Sequence, residues 1–219
     1  MCCIFRTLKK LIIIALIFIG ILAIYFGLHL GYNYLIDNVH TVIPGKIYRS
    51  AQLNKKGLTE YTKKFHLKTI IDLRGEWPTN HWYAVESHFA KENHLHYYPV
   101  QFSAYHLPPK KQLQALVKLL QVAPKPLIFH CEGGADRTGM AAAISIILFE
   151  KNPSMHLIKK QASWHYNAIS RSTVGYQMLQ NYFAWLQKNH YKHSSKELFL
   201  EWVNSSAKMK PYYGWFFSV

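Results

Sequence analysis

The run Ile128-Phe-His-Cys-Glu-Gly-Gly-Ala-Asp-Arg-Thr-Gly139 is where the fold of this chain is decided. The apolar segment from Pro126 to Phe129 reads as a short buried strand, and a helical pattern begins near Arg137. Between them lies a loop with two glycines. Cys131 stands where the strand stops, and Arg137 follows after five intervening residues. That spacing suits the attack of a thiolate on a phosphate ester. A loop this short can curl so that the amides of Glu132, Gly133, Gly134 and Ala135 face inward, the glycines allowing close approach and positive φ. The helix that follows presents the positive end of its dipole to a dianion. Arg137 offers a planar fork to two phosphate oxygens, and the same positive field favours the thiolate of Cys131. Thr138 is placed to donate a hydrogen bond to the sulfur as it leaves.

A cysteine and an arginine at this spacing also occur when a buried cysteine simply precedes an ordinary glycine turn. His130, Gly134, Thr138 and Gly139, all set between strand and helix, weigh towards the chemical reading. The segment resembles the His-Cys-x-x-Gly-x-x-Arg-(Ser/Thr) phosphate-binding loop of cysteine-dependent protein tyrosine and dual-specificity phosphatases. Its longer form, His-Cys-x-x-Gly-Ala-Asp-Arg-Thr-Gly, is similar to that of a compact bacterial branch. Ile47-Tyr-Arg-Ser-Ala-Gln52 resembles the opening of the same branch, and Asp72-Leu-Arg74 a strand ending common in the family. The resemblance runs from about Val42 to Asn189. It implies the phosphatase fold, a phosphocysteine intermediate on Cys131, and chemistry that needs neither metal nor cofactor.

The chain has 219 residues, half of them hydrophobic, and a formal net charge of +15. Its lysines are scattered and no nucleic-acid motif frames them, so no nucleic-acid partner is expected. A basic surface drawn to anionic partners or lipid headgroups fits better. Residues 1–10 form a short basic N-terminus. Leu11 to Leu28 carries no charge and would make about 27 Å of helix, close to the hydrocarbon thickness. Residues 11–30 therefore read as a membrane anchor, 31–43 as a tether and 44–219 as the catalytic domain. Arg6, Lys9 and Lys10 precede the anchor, which places the N-terminus in the cytoplasm and the domain outside. A cleaved signal peptide is the rival, but no small-x-small site follows the apolar run. Cys2 and Cys3 are candidates for acylation beside the anchor, which leaves Cys131 alone in the soluble part.

Strands are expected at Ile47–Ala51, Lys68–Arg74 and His94–Val100, besides the one before Cys131. Helices are expected at Leu53–Phe65, Trp82–Glu92, Pro108–Val122, Arg137–Phe149, Ser154–Ala168, Gly175–Asn189 and Lys196–Ser205. This alternation gives an α/β fold with a mostly parallel central sheet flanked by helices. Ligands of such sheets bind beyond the carboxyl ends of the strands, so Arg74, Glu76, Asn80 and His81 are candidates for the rim. Asp72 reads as a structural, hydrogen-bonded residue. His94 and His96 fall on one face but lack further ligands at metal spacing. The tail Pro211-Tyr-Tyr-Gly-Trp-Phe-Phe-Ser-Val219 is aromatic, suited to pack on the domain or to meet a bilayer surface.

Related phosphatases often carry the Asp that protonates the leaving group in the loop occupied here by Ser103 to Pro109. No acidic residue lies between Glu92 and Glu132. Asp136, beside Arg137, is the natural substitute, with His106 as a second donor. The expected activity is hydrolysis of phosphate monoesters, on a phosphorylated protein or on a phosphoinositide or inositol phosphate. A tethered binder of phosphorylated ligands with weak turnover is the reading from another class.

Overall fold

The structure, a computed structural model, describes residues 2–210, with side chains from residue 8 onward. The aromatic tail from Pro211 lies outside the described residues, as do the side chains of Cys2, Cys3 and Arg6. The chain divides after Ile36 into two compact units. The first is one helix, α1 (Cys2–Leu35), whose segment Leu8–Leu35 is long and apolar enough to cross a membrane. A signal sequence would pass the same test.

The second unit holds a five-stranded sheet of β1 (His40–Ile43), β2 (Ile47–Ser50), β3 (Thr69–Asp72), β4 (His96–Pro99) and β5 (Leu127–His130). Its spatial order is β1-β2-β5-β3-β4; only the β1–β2 pair is antiparallel. The last strand in sequence is therefore the central one. β2, β3 and β5 are buried at every position, as parallel strands covered on both faces must be. Successive side chains alternate between two cores. Ile47, Ile71, Leu127 and Phe129 join one, with α4 (Lys110–Val122), α5 (Asp136–Phe149), α7 (Val174–Lys188) and α8 (Lys196–Asn204). Tyr48, Ile70 and Ile128 join the other, under α2 (Lys55–Phe65) and α3 (His81–Glu92). α5 is buried without a break from Thr138 to Leu148, so it presents no polar face to water. Each of its isoleucines stabilises the fold by roughly 1.5–3 kcal/mol through burial.

Three expectations are corrected. The segment 31–43 is not a tether: α1 continues to Leu35, and His40–Ile43 pairs with β2 as an edge strand. A strand of four residues on one edge has too short a pattern to announce itself. His94 precedes β4 in a left-handed turn (φ 55°), so it does not share a strand face with His96. The helix expected over 154–168 stops at Lys160, giving α6 (Met155–Lys160), and a separate 3-10 turn spans Trp164–Tyr166. Ser163 makes the break: its hydroxyl donates to Lys160 O at 2.7 Å and accepts from the His165 amide.

Candidate active site

β5 delivers Cys131 to the carboxyl edge of the sheet, and α5 starts at Asp136, so the loop 131–135 bridges a strand end and a helix N-terminus. The loop is held by its carbonyls. Cys131 O lies 3.2 Å from His130 Nδ1, and Glu132 O accepts from the Gln52 amide at 3.0 Å. Gly133 O accepts from Asn38 Nδ2 at 3.1 Å, and Gly134 O from an Arg49 Nη at 2.8 Å. In a trans peptide the N–H points opposite the C=O. Tying the carbonyls of 131–134 outward therefore turns the amides of 132–135 to the other side of the loop. Among the described residues none of these amides donates to a protein acceptor. Gly134 sits at φ +66°, and a Cβ there would fall 2.6 Å from Ala51 N, so glycine is required at this crossing of the loop over β2.

Arg49 is the buried pin of this arrangement. Its guanidinium also donates to Gln161 O at 2.8 Å and Gln161 Oε1 at 3.1 Å, and it lies 3.9 Å from the centre of the Tyr166 ring. Burial pulls its pKa down to about 10 against the favourable fields of Tyr166 and Cys131, so it stays charged at neutral pH. Nothing in the sequence flagged it beyond the phrase Ile-Tyr-Arg-Ser. Gly139 permits α5 to approach Gln161, whose carbonyl a Cβ would meet at 2.7 Å.

Behind the loop lies a second buried layer. His130 Nε2 sits 2.9 and 3.0 Å from the two oxygens of Glu86, while Nδ1 faces the Cys131 carbonyl. Both partners only accept, so both ring nitrogens must carry protons. Burial alone would lower the pKa of His130, but the charge and hydrogen bond of Glu86, helped by Asp72, push it up to about 9. The Tyr97 hydroxyl, with one proton to donate, lies 3.2 Å from both Asp72 and Glu86, and Asp72 accepts from the Arg74 amide at 2.8 Å. Burial raises the Asp72 pKa, partly offset by His130. Asp72 is thus fully buried and hydrogen-bonded. The donor atoms of Asp72, Glu86 and His130 lie within 4.8 Å of one another, a spacing that would suit a metal ion. Each is already engaged with the others, and the doubly protonated ring offers a metal no lone pair.

A sequence profile of the tyrosine phosphatase family matches residues 30–150, over half of the chain. The chain belongs to the tyrosine phosphatase family. It is a cysteine-based phosphatase of the protein tyrosine phosphatase-like superfamily. No curated protein matches its sequence. Among solved structures it is similar to the core catalytic domain of the PP-IP phosphatase SIW14 from S. cerevisiae in complex with citrate. That likeness has 20% identity over 72% of this chain and 96% of that one, with TM-score 0.51. PTPMT1 matches at 14% identity over 69% and 98%, with TM-score 0.52. A putative phosphatase from Shewanella putrefaciens CN-32 matches at 16% over 71% and 92%, with TM-score 0.51. At these identities the likeness is one of fold.

The phosphatase opens above the loop into a cavity of about 670 Å³. Arg74, Trp77, Tyr105, His106, Glu132 and Arg137 are among its lining. Arg74 is stacked 3.7 Å over Trp82 and lies 3.8 Å from the exposed carboxylate of Glu132. Glu76 is exposed and does not line the cavity, nor do Asn80 and His81, which open α3. Arg137 donates to Phe102 O at 3.2 Å. Thr138 Oγ1, on the first turn of α5, is buried with no hydrogen-bond partner among the described residues.

Asp136 is engaged away from the cavity. Its Oδ1 accepts from the Gly175 amide at 2.5 Å, and Thr173 and Val174 also bond to the carboxylate. It caps the N-terminus of α7, where free amides and the helix dipole favour a carboxylate. Burial raises its pKa, opposed by those bonds and by Arg137. Glycine at 175 is needed because a Cβ would come within 2.7 Å of that same oxygen.

Proposed function

We propose that this phosphatase hydrolyses phosphotyrosine in proteins or peptides, with Cys131 as nucleophile and Arg137 and the amides of 132–135 as the phosphate cradle. The thiolate attacks phosphorus, the phenol leaves, and water then cleaves the phosphocysteine while Thr138 stabilises the departing sulfur. Asp136 serves as the tie between the loop and α7.

The observation that carries the substrate choice is the cavity lining. Beyond Arg137 its one Lys or Arg side chain among the described residues is Arg74, already facing Glu132. Trp77 and Tyr105 supply exposed aromatic surface there. An aryl phosphate finds ring contacts and a single dianion site. A densely phosphorylated inositol would need more cations than this lining holds. The net charge of +15 favours a second substrate class, phosphoinositide in an anionic bilayer. A panel of phosphotyrosine, phosphoserine and phosphothreonine peptides, phosphoinositides and soluble inositol phosphates decides. Preference for the phosphotyrosine peptide, abolished by Cys131→Ser, is the expected result; preference for a lipid or inositol phosphate overturns the choice. Binding of phosphopeptide without turnover, even of an activated aryl ester, would favour the weak-turnover binder.

We also propose that α1 is an uncleaved anchor with its basic end in the cytoplasm and the catalytic unit outside. An introduced surface cysteine in the catalytic unit should then react with a membrane-impermeant thiol reagent on intact cells. Protection until lysis would reverse the orientation.

A further inference from the structure

The loop between β4 and α4 carries no carboxylate, and Asp136 is committed to α7, so the leaving oxygen needs another source of its proton. Ser103 organises this loop. Its Oγ accepts from the amides of Tyr105 and His106, both at 3.0 Å, and lies 3.1 Å from His106 Nδ1. The imidazole is thereby tied down through Nδ1, and among the described residues no bond reaches Nε2. The loop is also fastened to the cradle, because Arg137 holds the carbonyl of Phe102, the residue before Ser103. His106 and Arg137 line the same cavity. The arginine and the histidine that share the cavity are thus joined through the Phe102 carbonyl and the Ser103 turn.

We propose that His106 is the proton donor and acceptor of the reaction, acting through Nε2, with Ser103 as its positioning residue. The inference rests on the reading of Cys131 as nucleophile. In the first step the Sγ–P bond forms as the P–O bond breaks, and the leaving oxygen takes the proton from Nε2. The ring is left neutral, with its remaining proton on Nδ1. In the second step the water oxygen bonds to phosphorus as Nε2 accepts its proton, the S–P bond breaks, and the thiolate returns. Of the other titratable groups on the cavity, Glu132 pairs with Arg74 at 3.8 Å and is exposed, and Tyr105 is exposed as well.

The test is a leaving-group series on the full-length enzyme in detergent, from p-nitrophenyl phosphate to phenyl and alkyl phosphates. His106→Ala should lose about 100-fold or more on the alkyl esters but less than about tenfold on p-nitrophenyl phosphate, because a good leaving group needs little protonation. Added imidazole should restore part of the alkyl rate. Ser103→Ala should show the same split at smaller size. Vanadate affinity reports whether the cradle survives; if His106→Ala loses it, His106→Gln and Ser103→Ala carry the comparison. Equal losses on both esters, or no loss on either, overturn the assignment of His106 while leaving Cys131 in place. A wild-type enzyme that turns over neither ester refutes the reading of the site itself.

Discussion

The buried ion pair behind the catalytic loop makes the stability of this protein depend on pH in a defined direction. His130 ordinarily titrates at 6.5 and is pushed up to about 9 in the fold. A group whose folded pKa is raised contributes stability that is complete below its unfolded pKa and is lost as pH rises through the folded one. At about 1.4 kcal/mol per pKa unit the pair contributes on the order of 3 kcal/mol below pH 6.5, declining to nothing above about 9. Asp72, raised by burial, has the same sign in a lower window, beginning above its ordinary 3.8. Glu86→Gln removes the charge that holds the proton on His130. Urea unfolding of the full-length protein, followed by tryptophan fluorescence from pH 6 to 9.5, reads both effects. The wild type should lose roughly 3 kcal/mol across that range, a midpoint shift of about 1–3 M at ordinary m-values. The variant should be weaker than wild type at pH 6, by about the same amount, and nearly flat in pH, the two curves converging at the alkaline end. A wild-type curve that is flat or rises between pH 6.5 and 9 would refute the assignment, as would an unchanged slope in the variant.

Gly134→Ala should destabilise the protein by about 2–4 kcal/mol and abolish vanadate binding, since φ +66° and the contact with Ala51 N leave no room for a methyl group; near-normal turnover would show that the loop crosses β2 differently. Arg49→Met strips the carbonyls of Gly134 and Gln161 of their donor and should cost about 3–5 kcal/mol, visible as a large fall in Tm; a melt within a degree or two of wild type contradicts the pinning role. Asp136→Asn should cost about 1–2 kcal/mol through the weakened cap of α7 and slow aryl and alkyl esters by similar factors. A selective loss on alkyl esters would return the proton-donor role to Asp136.

The strand–loop–helix around Cys131 was legible in the sequence because its whole logic is local: a strand end, glycines and a helix start, contiguous from Phe129 to Gly139. The α/β alternation was legible for the same reason, since the buried runs of β3 and β5 and the apolar helix α5 need no distant partner to be recognised. What the linear pattern left open depends on contacts between segments far apart. Asp136 adjoins Arg137 and looks available to substrate until α7, almost 40 residues later, brings the amide of Gly175 to its carboxylate. Glu86 lies on an ordinary amphipathic helix, and only the packing of α3 on the sheet sets it against His130. Arg49 and Asn38 read as polar residues near a chain turn, yet the crossing of the loop 131–135 over the end of β2 makes them donors to its carbonyls. The helix expected over 154–168 ends early, and Gln161, past its end, is where Arg49 finds two of its acceptors. Propensity and periodicity act over a few residues, so the sequence alone determined most of the elements and the strand–loop–helix setting of Cys131. Which polar groups are buried, and against whom they are spent, is decided only when the elements pack, because a buried donor must find whatever acceptor the tertiary structure puts beside it.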